Sequence, residues 1–200
     1  MQEKRTMSIP LPEGVKGLIF DLDGTIIDSM PLHHRAYNAS LEPYGVHYPL
    51  DVFHSRGGIP TSDTLRMIET EHQITNFDLP LALETKRKFV DAHLSELTLI
   101  QPVWEVIKAF HSKLPMAIGT GSNRQTVNEM FALFPFGEYF THVVTATDVE
   151  NFKPHPETFL KGAELIGIDP SDCVVFEDGK PGMVAAESAG MQVIDITKFV

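Results

Sequence analysis

Asp21 and Asp23 stand one residue apart at the end of a short apolar run, Leu18-Ile19-Phe20, with Gly24 and Thr25 behind them. Such a run reads as a buried strand. Carboxylates brought to its end are costly to desolvate unless they are paired, hydrogen-bonded or metal-bound. Other polar groups follow later apolar runs: Thr120-Gly121-Ser122, then Asp148 and Lys153, then Glu177-Asp178-Gly179. Acidic groups from two strand ends can hold a divalent cation through oxygen, while a hydroxyl, helix-start amides and one lysine can hold phosphate.

Each group has a plainer reading. Asp21 to Gly24 fits a turn as well as a site. Thr120-Gly121-Ser122 could cap the helix after it. Lys153, within Phe152-Lys153-Pro154-His155-Pro156, could be a solvated surface lysine, and Glu177-Asp178 could be turn residues before Gly179. Gly119-Thr120-Gly121 lacks the third glycine of a dinucleotide fingerprint, which argues against a nucleotide-cofactor site of that kind. The conjunction favours chemistry.

The elements that must position these residues follow from periodicity. After the strand at Leu18–Phe20, Pro31 opens a helix carrying Ala36, Tyr37, Ser40, Leu41 and Tyr44, which stops at Gly45. No strand is expected from there to about Thr98. Thr61-Ser62-Asp63 reads as a cap before a helix with Leu65, Ile68 and His72, and Phe89, Val90, His93, Leu94 and Leu97 share a later helical face. Beyond Pro102 a helix with Val103, Val106, Ile107 and Phe110 leads to a strand at 115–119, a helix at 123–133 and a strand at 143–146. A helix carrying Phe159, Leu160, Ala163 and Ile166, a strand at 174–176, a helix at 182–189 and a strand at 193–196 follow. Alternating strands and helices predict an α/β fold, a Rossmann-like doubly wound parallel sheet with an inserted all-helical cap. The expected division is a tail at 1–15, a core at 16–30 and 100–200, and a cap at 31–99. In such sheets ligands bind beyond the carboxyl ends of the strands, where the four polar groups would meet.

The chain has 200 residues, 42% of them hydrophobic and 22% charged, the composition of an ordinary soluble globular protein. Its formal charge of −11 argues against nucleic acid or an anionic membrane as the main partner. One cysteine, Cys173, rules out an internal disulfide and fits a reducing cytoplasm, with the thiol buried in a strand. No run approaches the length of a membrane span.

In order and spacing, Asp21-Leu22-Asp23-Gly24-Thr25, Thr120 after a strand, Lys153 before proline, and Glu177-Asp178 resemble the four motifs of the haloacid dehalogenase-like hydrolase superfamily. The insert resembles the small cap of its β-phosphoglucomutase-like branch, and the resemblance covers the chain from about Lys16 onward. It implies that Asp21 attacks phosphorus and becomes an aspartyl phosphate, and that Asp23 is the general acid and then the base. Asp21, Asp178 and the main-chain carbonyl of Asp23 would bind Mg²⁺, with Glu177 supporting them. Thr120, Gly121, Ser122 and Lys153 would hold the phosphoryl group.

The cap loop reads Arg56-Gly57-Gly58-Ile59-Pro60-Thr61. Gly57, Thr61 and Asn123 stand where the mutases of this branch carry cationic groups for a second phosphate. Gly58-x-Pro60-Thr61 looks more like bacterial sugar phosphatases of the fructose-1-phosphatase type. His33 matches a cap-hinge histidine, with an ordinary core or surface histidine as the alternative. Arg56 is a candidate substrate contact, with a solvated loop arginine as the alternative. The expectation is therefore a Mg²⁺-dependent phosphatase of a small phosphorylated metabolite, in a monomer or small homo-oligomer. A phosphosugar mutase is the runner-up, and a haloacid dehalogenase or a non-catalytic binding protein fits less well.

Overall fold

The computed structural model describes residues 9–57 and 59–200; residues 1–8 of the expected tail at 1–15 and the cap-loop Gly58 lie outside the described residues. The chain divides into two compact units, Ser29–Leu97 and the rest.

In the larger unit β1 (Gly17–Phe20) is fully buried. The insert carries α1 (Met30–Leu41), α2 (Leu50–Ser55), α3 (Thr61–Glu71) and α4 (Leu79–His93). The larger unit then continues through α5 (Gln101–Phe110), β2 (Met116–Gly119), α6 (Arg124–Leu133), β3 (His142–Val144), α7 (Glu157–Ile166), β4 (Cys173–Glu177), α8 (Lys180–Ser188) and β5 (Gln192–Asp195). The strands form one sheet in the order β3-β2-β1-β4-β5, with every pairing parallel. The chain builds outward from β1 through β2 to β3, then returns to place β4 on the other side of β1. Strand order therefore reverses between β1 and β4, where an open parallel sheet leaves a crevice at its carboxyl edge.

Side chains alternate across this sheet. Ile19, Ala117 and Val175 face Phe159 and Ala163 of α7 and Ala185 and Ala186 of α8. On the opposite face Phe20 stacks on Phe176 at 4.5 Å and meets Phe140 edge-on at 5.8 Å, while Trp104 of α5 lies 6.0 Å from Phe136. Cys173 is buried in β4, and burial pushes its thiol up to about 11, as suits a packing residue.

Within the insert, Tyr37 and Leu41 of α1 gather Leu65 and Ile68 of α3 and Ala82 of α4 into a separate core. Tyr48 joins them, its ring edge-on to Tyr37 at 5.4 Å. Four details depart from expectation. The first helix ends at Leu41 and a 3-10 turn, Glu42–Tyr44, completes the run to Gly45, whose φ of 67° closes it. Helix α2 falls where none was expected; Pro49 precedes it, and six residues give little periodicity to read. Thr61-Ser62-Asp63 forms the first turn of α3 rather than its cap, with Pro60 at the N-cap position. Helix α4 starts at Leu79, well before the apolar face at Phe89, because Asp78 caps it by accepting from the Leu81 amide at 3.0 Å; Leu94–Glu96 continues as a 3-10 turn and Leu97 lies beyond it.

Candidate active site

Parallel register carries the motif residues to one edge. Phe20 pairs with Phe176, so the chain leaves β1 and β4 at the same level, and the Asp21 amide donates to the Phe176 carbonyl at 3.0 Å. Thr120 follows β2 and is fixed by its amide donating to Val144 of β3 at 2.9 Å. Lys153 arrives from beyond β3 on a loop held by α7: both carboxylate oxygens of Glu157 accept from the Glu150 and Asn151 amides, at 3.0 and 2.9 Å.

At the edge, Lys153 Nζ donates to Asp21 Oδ1 and to Glu177 Oε1, each at 2.7 Å, and lies 4.5 Å from the centre of the Phe159 ring. The lysine is 11% exposed, so it is a buried cation between two buried carboxylates and not a solvated surface group. Burial opposes its charge, but Asp21 and Glu177 overcome that and hold Lys153 above its ordinary value. Carboxylate oxygens of Asp21, Glu177 and Asp178 all lie within 4.8 Å of one another. Burial, with the neighbouring Glu177 and Asp178 charges, lifts Asp21 well above the usual carboxylate range against the pull of Lys153. Burial and the Glu177 charge raise Asp178 to about 7, opposed by the Thr25 hydroxyl, which donates to its Oδ1 at 3.1 Å.

Fully ionised, three carboxylates against one ammonium would leave the cluster two negative charges in excess. Its donors are all hard oxygens from short side chains, the set that suits Mg²⁺ and not a thiophilic metal. The residues therefore fit the divalent cation that the motif resemblance implies.

Two glycines shape the cluster. Gly24 has a φ of +80°, and a Cβ there would meet Asp178 Oδ2 at 2.3 Å. A Cβ on Gly182 of α8 would fall 1.6 Å from Glu177 Oε1, so the Glu177 side chain lies directly over that helix backbone. Its other oxygen accepts from the Gly179 amide at 2.6 Å. Gly182, Gly24 and Thr25 thus take part in the site without having been assigned roles. The Asp-Gly-Thr sequence was a signal for two of them; Gly182 gave none.

Asp23 has a different environment. Ser122 Oγ donates to Asp23 Oδ2 at 2.6 Å, and the Ser122 amide donates to Thr120 Oγ1 at 3.0 Å. Ser122 does not cap α6; Asn123 does, its Oδ1 accepting from the Thr126 amide at 3.0 Å. Asp148 serves the fold: it accepts from the amide and hydroxyl of Thr145, each at 2.7 Å, and pairs with Arg124.

The cap residues are placed within their own unit. Arg56 is largely buried, pairs with Glu71 at 2.5 Å and lies 5.7 Å from the centre of the Tyr48 ring, so it is not a solvated loop arginine. Thr61 stands in the first turn of α3, and burial holds the Tyr37 hydroxyl above its ordinary value. His33 lies half-buried in the first turn of α1, and its neighbour His34 is hydrogen-bonded to the Tyr48 carbonyl at 2.7 Å.

Fold and site together define a doubly wound α/β enzyme that gathers carboxylates, one ammonium and hydroxyls at the carboxyl edge of its sheet. The sequence profile of the haloacid dehalogenase-like hydrolases matches residues 18–196, and the chain belongs to that family. It is 38% identical over 186 residues to the fructose-1-phosphate phosphatase YqaB of Escherichia coli K12, covering 92% of this chain and 97% of that one. It is 25% identical to the beta-phosphoglucomutase of Bacillus subtilis 168, over 91% and 83% of the two chains. Among solved structures, the haloacid dehalogenase-like protein ATU0790 of Agrobacterium tumefaciens superposes with a TM-score of 0.78 at 27% identity, covering 90% of this chain and 81% of that one.

Proposed function

We propose that the chain is a Mg²⁺-dependent phosphatase that hydrolyses a small sugar phosphate through an aspartyl phosphate on Asp21. The observation that carries this reading is the buried cluster of Asp21, Glu177 and Asp178 around Lys153, with Asp23 bonded by Ser122. Asp21, Asp178 and the Asp23 carbonyl are the proposed Mg²⁺ ligands, and Glu177 supports them. When bound, the cation neutralises the carboxylates and draws charge from the phosphoryl oxygens.

Asp21 supplies the attacking carboxylate oxygen. Lys153 is placed to trade its bond to Asp21 for one to the phosphoryl group, lowering the repulsion between anionic substrate and anionic nucleophile. Accepting the Ser122 amide orients the Thr120 hydroxyl so that its own proton can be given to a phosphoryl oxygen. Asp23 protonates the leaving alkoxide as the phosphorus–oxygen bond breaks, then takes a proton from the water that attacks the aspartyl phosphate.

A phosphatase is favoured over a mutase because the positions that would grip a second phosphate carry no cationic group. Asn123 caps α6 with a neutral amide, Thr61 ends in a neutral hydroxyl, and Gly57 has no side chain. The 38% identity to a fructose-1-phosphate phosphatase along nearly its whole length supports the same reading and the sugar phosphate class. The cytoplasm is the proposed compartment, on the strength of the single buried thiol; no helix among the described residues is long and apolar enough to cross a membrane.

The test is phosphate release from hexose, pentose and triose phosphates with and without Mg²⁺. Wild type should turn over only with the cation, and Asp21→Asn should lose at least about a thousandfold while leaving the fold intact. An Asp21→Asn variant as fast as wild type would sink the mechanism. Isomerisation of β-glucose 1-phosphate that needs a bisphosphate and outpaces phosphate release would make the chain a mutase.

A further inference from the structure

The geometry points to Ser122 as the positioning residue for the acid and base Asp23, and not as a ligand of the phosphoryl group. The inference deepens the phosphatase reading and rests on it.

All three polar groups of Ser122 are committed within the protein. Its amide donates to Thr120 Oγ1 at 3.0 Å, its carbonyl accepts from the Ala146 amide at 3.0 Å, and its hydroxyl donates to Asp23 Oδ2 at 2.6 Å. The first two bonds fix the Ser122 backbone between the ends of β2 and β3, so the hydroxyl stands at a set point. A serine hydroxyl has one proton to give. A fully ionised phosphoryl group has none to offer in return, so a Ser122 that donates to Asp23 contributes no hydrogen bond to phosphate. The amide, spent on Thr120, contributes none either.

The bond to Asp23 has a use of its own. A carboxyl on a short side chain turns readily about its last torsion, and a donor at 2.6 Å fixes that turn. With Oδ2 held as an acceptor, the proton that Asp23 exchanges is carried on Oδ1. During transfer that proton goes to the leaving oxygen, which keeps the electron pair of the broken bond to phosphorus, and Asp23 is left as the carboxylate that Ser122 continues to hold. Ser122 therefore joins the end of β2 to the end of β1 across 99 positions of sequence, coupling the loop that carries Thr120 to the proton-transfer group.

The test compares two esters in Ser122→Ala and Ser122→Thr. A sugar alkoxide leaves only if protonated, whereas p-nitrophenolate leaves without help, and kcat/KM reports the first transfer alone. In the alanine variant kcat/KM should fall roughly ten- to a hundredfold for the sugar phosphate and less than about threefold for p-nitrophenyl phosphate. Inhibition by inorganic phosphate should be unchanged, and the threonine variant, which keeps the hydroxyl, should recover most of the loss. Equal losses on both esters with weaker phosphate inhibition would make Ser122 a phosphate ligand and overturn the assignment, leaving the phosphatase reading intact. A wild-type chain inactive on both esters would overturn both.

Discussion

Lys153 is the residue on which the resting cluster balances. Its ammonium lies 2.7 Å from both Asp21 and Glu177, and all three groups are nearly excluded from solvent. Removing one partner of a buried ion pair costs more than the pair was worth, because the remaining charge has neither water nor a counter-ion. Lys153→Met is therefore expected to destabilise the metal-free protein by about 3 kcal/mol, and to lower kcat by about a hundredfold or more even with Mg²⁺ present. Denaturant melts in EDTA and steady-state rates in Mg²⁺ check the two halves separately. A variant as stable as wild type in EDTA would show that the lysine is not balancing the carboxylates.

At the level of elements, α8 is set against β4 closely enough that the Glu177 carboxylate occupies the space a side chain at position 182 would need. In an exposed helix interior, replacing glycine by alanine stabilises by about 1 kcal/mol. Here the sign should reverse. The new Cβ would lie 1.6 Å from Glu177 Oε1, and both Glu177 oxygens are tied, one to Lys153 and one to the Gly179 amide. Gly182→Ala is expected to lose about 1–3 kcal/mol of stability and to weaken Mg²⁺ binding, read by thermal melts and by calorimetric titration; a more stable variant would disprove the close approach. Such a contact is invisible in sequence because it is made by two elements whose spacing only the fold sets. The strands were legible, since each carries a short apolar run, wholly buried in β1, β2 and β4, and so was the rim, because Asp21, Thr120, Lys153 and Asp178 each follow one. Element ends were less so: α2 is too short to show a period, α8 begins at Lys180 because Pro181 fits its first turn, β3 stops at Val144 where Thr145 caps the next turn, and β5 runs from Gln192, one residue ahead of its apolar core. Taken alone, Lys153 reads as a surface lysine, and only the conjunction of motifs brings it to the site, because its partners lie 132 and 24 residues away.

For the molecule as a whole, the cluster ties folding to pH and to the cation. Asp21 and Asp178 bind protons more tightly in the folded chain than in the unfolded one, where carboxylates titrate near about 4. Their contribution to metal-free stability is therefore fully present below that value and lost as pH rises through about 7, the value for Asp178. Glu157, drawn down to about 2 chiefly by its bond from Lys161, works in the opposite direction but below this window. The general repulsion of a chain with a formal charge of −11 works in the same direction as the cluster and needs its own control. In EDTA the melting temperature should fall from about pH 5 to about pH 8, and Asp178→Asn should flatten that fall, which general repulsion would leave in place. Mg²⁺ must displace the protons to reach the carboxylates, so the stabilisation it gives should be greater at the upper end of the window, about 2.7 kcal/mol at a hundred times its dissociation constant. A cation effect larger at low pH, or unchanged in Asp178→Asn, would mean that the ion binds elsewhere on this acidic surface and not at the edge of the sheet.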